Sequence, residues 1–131
     1  MSPSSVNLVP ALIAGVVTFL LGGLWYGPLF GEKWMASVGV TAADLKPPVF
    51  ATGFLSYIVL AGSMSVLLNW TGADSIGAGM VVGLVAWIGT ALALGANTAA
   101  FSGRPKRAFV IESSFQLVAF LAIGGILGGW Q

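Results

Sequence analysis

Apolar residues dominate four long runs of this chain, separated by short clusters of polar, charged or proline residues. Residues 1–31, 47–73 and 75–103 carry no charged side chain, and 108–131 carry only Glu112. Each stretch can hold the roughly 20 apolar residues that cross a bilayer core. None shows the strict alternation of a membrane barrel strand. The pattern predicts an all-α integral membrane bundle of four transmembrane helices, near residues 6–26, 49–70, 76–101 and 108–130, in one domain over 1–131.

Proline and glycine punctuate these runs. Pro10 falls in the first turn of the first helix, where a missing N–H is tolerated, and Gly27-Pro28 closes that helix. With no Lys or Arg ahead of it, the first run is not expected to be a secretory signal. Pro47-Pro48 opens the second helix, and Thr71 to Asp74 forms a short polar turn. The first loop is the largest piece outside the core. Phe30, Trp34 and Val38 recur there at helical spacing, with Glu32, Lys33 and Ser37 between them. That suits a short interfacial helix better than an irregular loop anchored by Trp34 alone. Thr41 and Asp44 have the spacing of a capping box before the Pro47-Pro48 break.

Composition narrows the class. The chain is 57% hydrophobic and 7% charged, whereas a soluble domain carries about 25% charged residues. It has no cysteine and no histidine, which removes disulfides, thiolate clusters, the Ser-His-Asp triad and the usual zinc and haem ligands. Glu32, Asp44, Asp74 and Glu112 are the only carboxylates and lie far apart in sequence. No phosphate-cradling glycine motif is present. An enzyme is not expected, nor a metal, cofactor or nucleic-acid partner; membrane lipid is.

Charge also gives an orientation. Lys33 and Lys46 lie in the first loop, and Arg104, Lys106 and Arg107 in the third. Under the positive-inside rule both loops face the cytoplasm and both termini lie outside. Trp25, Tyr26 and Trp34 then mark the inner interface, Trp70 and Trp130 the outer one.

Two features are candidates for function. Gly79, Gly83, Ala86, Thr90, Ala93, Asn97 and Ala100 step by fours and threes, which puts all seven on one face of the third helix. Ala11, Gly15, Thr18 and Gly22 repeat the device on the first helix, and Gly124 and Gly128 on the fourth. Small residues let helices approach closely in a membrane, so these seams are read as packing, with a narrow polar path as the alternative. The second feature is polar. Asn97 and Glu112 sit about 7–8 Å inside the third-loop end of their helices, Gln116 lies one turn deeper, and Tyr57 reaches about 12 Å. An ionisable residue within a span is a functional-site candidate. Glu112 either pairs with Arg104, Lys106, Arg107, Gln116 or Asn97, or serves a proton, ion or polar solute. Trp87, near the middle of the third span, is read as packing with one buried hydrogen bond.

Trp25-Tyr26-Gly27-Pro28-Leu29-Phe30-Gly31, followed by Trp34-Met35, resembles the hallmark first loop of a bacterial family of small four-span membrane proteins, domain of unknown function 1761. Pro105-Lys106-Arg107-Ala108-Phe109-Val110-Ile111, then Phe115, Leu117-Val118 and Gly124-Gly125-Ile126-Leu127, is similar to its closing helix. The resemblance covers essentially the whole chain. It implies the four-span architecture and a bacterial cytoplasmic (inner) membrane, and it brings no activity or site residues. Glu112 stands where a neutral polar residue is expected in such proteins. The leading functional expectation is a non-enzymatic membrane protein acting through helix–helix association, as a homo-oligomer or a subunit of a membrane complex. The alternative is a small transporter or channel subunit with a polar inner vestibule formed by Asn97, Glu112, Gln116 and Tyr57. An enzyme acting on lipid through Glu112 ranks last, since no nucleophile–base pair supports it.

Overall fold

Helix ends follow the punctuation of the sequence in the computed structural model, which describes residues 8–130. Helix α1 runs Leu8–Leu24 and passes into a wide π-helical turn at Trp25–Leu29. After a short α2 (Gly31–Val38), α3 (Pro47–Thr71) starts on the Pro47-Pro48 pair. Proline suits that position, because a first-turn N–H has no intrahelical acceptor to lose. Helix α4 (Ile76–Trp87) is capped by Ser75, whose hydroxyl accepts from the Ala78 N–H at 3.1 Å. A second π-helical turn, Ile88–Leu92, joins α4 to α5 (Ala93–Ser102), and α6 (Lys106–Gly129) completes the chain. Gly72 and Gly103 end α3 and α5 in the left-handed conformation that glycine adopts without steric cost.

Four stretches are long and apolar enough to cross a membrane: Leu8–Leu29, Pro47–Thr71, Ile76–Ser102 and Lys106–Gly129. The chain is a multi-pass, all-helical membrane protein. These bounds lie close to the expected ones, although the expected start at residues 6 and 7 falls outside the described residues. The first apolar stretch runs on through the wide turn to Leu29, and Gly27 within that turn leaves helical geometry (φ −105°, ψ −105°), next to the expected end at Tyr26. Helicity at Gly31–Val38 and the Thr41–Asp44 pairing are both present: the Asp44 carboxylate accepts from the Thr41 N–H at 2.9 Å and from its hydroxyl at 3.0 Å.

Helix α6 is the hub, packing against α1, α3 and α4. Half of its most apolar stretch is buried, against 11% for the third span. The α4–α6 contact is backbone on backbone. A Cβ at Gly79 would run into the Gly124 carbonyl, one at Gly83 into the Phe120 carbonyl, and one at Gly128 into the Ser75 carbonyl. On the α1–α3 side, a Cβ at Gly15 would come within 2.6 Å of Ile58 Cδ1 and 3.2 Å of the Tyr57 carbonyl oxygen. Close approach of this kind replaces the hydrophobic drive that lipid cannot supply. The buried cluster Ala11, Ala14, Ala61, Met64, Leu68, Ile123 and Leu127 fills the end of the bundle away from the first and third loops.

The seam expected along the whole third span is interrupted. Gly79 and Gly83 are buried and Ala86 is half-buried, but Thr90, Ala93, Asn97 and Ala100 are exposed. The π-helical turn at Ile88–Leu92 is the cause. Its wider turn takes up an extra residue and shifts every later position around the helix. Ala91, Leu92, Gly95 and Ala99 face inward instead. Helix α5 also touches α6 much less than α4 does.

Candidate functional site

The first loop folds back onto the start of α6 because its turn is built for a reversal. The Phe30 N–H reaches the Trp25 carbonyl at 2.9 Å, closing the turn around Gly27-Pro28. A side chain at Gly31 would collide with the Tyr26 carbonyl, so only glycine fits where α2 begins. This reversal brings Trp25 and Trp34 against α6. There the Trp25 indole donates to the Ile111 carbonyl at 3.1 Å, and the Trp34 indole donates to Glu112 Oε2 at 2.9 Å. From the third span, the Trp87 indole donates to the Ser113 carbonyl at 3.0 Å. Three consecutive α6 residues thus accept from three tryptophans belonging to two other spans and the first loop. In a medium without water, each indole N–H needs such an acceptor.

Glu112 completes the cluster. Arg104 Nε donates to its Oε1 at 2.7 Å, and Arg104 Nη2 pairs with Oε2. With the Trp34 bond, the carboxylate accepts from a fork of guanidinium N–H groups and from an indole. The Glu112 hydrogen bond pushes the Arg104 guanidinium above its usual value, outweighing partial burial, and the carboxylate's charge adds to the shift. Arg104 stays protonated. Among the basic residues considered for Glu112, Arg104 is the one that takes it, and Trp34 takes the place considered for Gln116 or Asn97.

Phe115, fully buried, lies one turn beyond Ile111 at the centre of an aromatic group. Its ring centroid is 5.9 Å from Trp25, 5.6 Å from Tyr26 and 5.9 Å from Tyr57. Tyr26 in turn meets Trp34 edge-on at 5.2 Å. Trp25, Tyr26 and Trp34 therefore form one cluster at the first-loop end, while Trp70 and Trp130 are exposed at the other.

The four polar candidates do not converge. Glu112 and Gln116 border one cleft of about 270 Å³ between α5 and α6, with Gly95, Thr98 and Ser113. Tyr57 lies across Phe115 from them and lines a separate cavity of about 470 Å³ formed by α1, the first loop and α3. Asn97 is exposed on the outer face of α5 and lines neither. No group of three metal-binding side chains occurs among the described residues. With its oxygens engaged by protein donors, Glu112 acts as a clamp joining the first loop, the third loop and α6.

Sequence reasoning missed Trp34 as a partner of Glu112 and the backbone acceptors at Ile111 and Ser113. A carbonyl occurs at every residue, so nothing in the sequence distinguishes those two. Trp34 had a signal: a loop indole at the end of the bundle where the lone carboxylate within a span sits.

A protein family described as a protein of unknown function (DUF1761) matches residues 9–128 of the chain. No curated protein and no solved structure matches it.

Proposed function

The chain belongs to the DUF1761 family, and from that premise we propose a non-enzymatic membrane protein that works by helix–helix association, as a homo-oligomer or a subunit of a larger membrane complex. The observation that carries this reading is the outward face of α5. Thr90, Ala93, Asn97 and Ala100 are exposed there, and Asn97 makes no side-chain hydrogen bond among the described residues. The Asn97 amide has two donors and an acceptor, and hydrocarbon satisfies none of them. A neighbouring helix can, and the alanines around it leave room for close approach. We place the loops carrying the five basic residues in the cytoplasm, with α2 at that interface, in a bacterial inner membrane.

The parent chain contains no cysteine, so single cysteines test both parts cleanly. Ala93→Cys and Ala100→Cys should form oxidised dimers in membranes, Leu20→Cys on the outside of α1 should not, and Asn97→Leu should weaken the cross-link at Ala93→Cys. Cross-links equal at all three positions, or none at α5, would overturn self-association. A product of higher mass containing another protein would point to the complex instead. Cysteine at Asp74 should react with an impermeant reagent on intact cells while cysteine at Ser37 does not, and the reverse pattern would invert the orientation.

The second reading, a small transporter or channel subunit, draws support from the cleft bordered by Thr98, Glu112 and Gln116. It ranks lower because Glu112 is already bound by Arg104 and Trp34. Gln116→Leu tests it, since loss of a solute flux with assembly intact would favour this reading.

A further inference from the structure

The cavity of about 470 Å³ between α1, the first loop and α3 is used by neither reading. Glycines make it. Gly23 and Gly27 have nothing within 4 Å of where a Cβ would stand, and the nearest neighbour of a Cβ at Gly53 is the Phe19 ring at 3.7 Å. Phe19, Phe50, Tyr26, Tyr57 and Trp34 wall the space. Phe19 meets Phe54 edge-on at 5.5 Å on one flank, and Tyr26 and Tyr57 lean on Phe115 at the back.

Gly23, Val49 and Phe50 line the cavity and are exposed, so it opens on the outside of the bundle. Those residues lie within Leu8–Leu29 and Pro47–Thr71, so what lies outside is hydrocarbon. An apolar space of this size offers water few partners beyond two tyrosine hydroxyls, whereas a lipid chain fills it at no hydration cost. From Phe19 to Tyr26 the helical rise gives about 10 Å, some two thirds of the roughly 15 Å that one leaflet contributes to the bilayer core. At the loop end, Trp34 and Leu45 close the space, and their neighbours Lys33 and Lys46 are exposed. That end of the molecule gathers Lys33, Lys46, Arg104, Lys106 and Arg107 against Glu32, Asp44 and Glu112, an excess of positive charge.

We propose that this cavity binds one acyl chain of an anionic glycerophospholipid, with its phosphate toward Lys33 and Lys46. Chain length, apolar lining, lateral opening and the basic rim all fit that occupant. The site is independent of the outward face of α5.

The test uses a phosphatidylglycerol carrying a photoreactive diazirine midway along one chain, added at equimolar ratio to the purified full chain in detergent. Labelling should concentrate on the segments around Phe19, Gly23 and Phe50–Tyr57. Gly23→Leu and Gly53→Leu, which fill the space from opposite helices, should each cut it at least fivefold. Gly62→Leu, at an open position on α3 away from the cavity, should leave it unchanged. The thermal unfolding of each variant identifies any that fails to fold, and either filling variant alone suffices. Lys33→Gln with Lys46→Gln should abolish a preference for phosphatidylglycerol over phosphatidylethanolamine while cavity labelling remains. Labelling spread evenly over all spans, or unchanged in a folded filling variant, overturns the site. Equal labelling by a fatty-acid analogue overturns the phospholipid assignment.

Discussion

Glu112 shows how one carboxylate can be settled within a membrane-spanning helix. Its side chain is 19% exposed and its oxygens accept from Arg104 and Trp34. Glu112→Gln keeps an oxygen for the Trp34 indole but removes the charge that the guanidinium fork requires, so it should cost about 1–3 kcal/mol. A double-mutant cycle with Arg104→Gln should give a coupling above about 0.5 kcal/mol, read from thermal unfolding in detergent. Arg104→Lys should not restore the parent, because an ammonium cannot span both oxygens. Asp44 is the residue whose titration matters outside the spans. The Thr41 backbone N–H and hydroxyl hold its carboxyl below the usual carboxylate value. A lowered folded value means that the Thr41–Asp44 contact stabilises the first loop above the ordinary carboxylate range. That contribution fades as pH falls through the lowered value. The Thr41 amide resonance should follow this transition in an NMR titration, and Asp44→Asn should flatten it.

At the level of elements, the division of the third span matters most. Helix α4 meets α6 with no side chain between the backbones at Gly79 and Gly83, so Gly83→Leu should unfold the bundle or shift its unfolding by several degrees. Ala93→Leu, ten residues on and exposed, should change the stability of the single chain by no more than about 0.5 kcal/mol while disrupting the proposed assembly. The sequence made the two positions look equivalent. Small residues continue at the same spacing through Ile88–Leu92, with no proline to mark the extra residue in that turn. Other elements were legible for identifiable reasons. The spans follow from charge-free length, α2 from Phe30, Trp34 and Val38, and the ends of α1 and α3 from Pro28 and Pro47-Pro48. In the candidate site the Arg104–Glu112 pair was within reach of sequence reasoning, since the two are eight residues apart across a turn. Asn97 and Tyr57 were misplaced relative to Glu112 because rotation about a helix axis depends on the irregular turn and on packing, neither of which depth along the helix records.

Across the whole molecule the two ends differ in construction. The end away from the first and third loops is closed by small side chains and touching backbones around Ile123 and Leu127. The loop end is held by rings, indole hydrogen bonds and the Arg104–Glu112 ion pair, and it holds two separate open spaces. Helix α5 crosses this looser end as a beam pinned at both ends. One support is the π-helical turn, continuous with α4; the other is Arg104, just past its last residue, bolted to Glu112. Between the supports α5 barely rests on α6, and the cleft lies beneath it. Unbolting one support turns such a beam into a cantilever. In Arg104→Gln, amide exchange should therefore rise along residues 94–101 and rise least at the turn, while residues 79–84 stay as slow as in the parent. A uniform increase along the span would mean that α4 and α5 flex as one rod. The Arg104–Glu112 ion pair thus sets how far the roof over the cleft can lift.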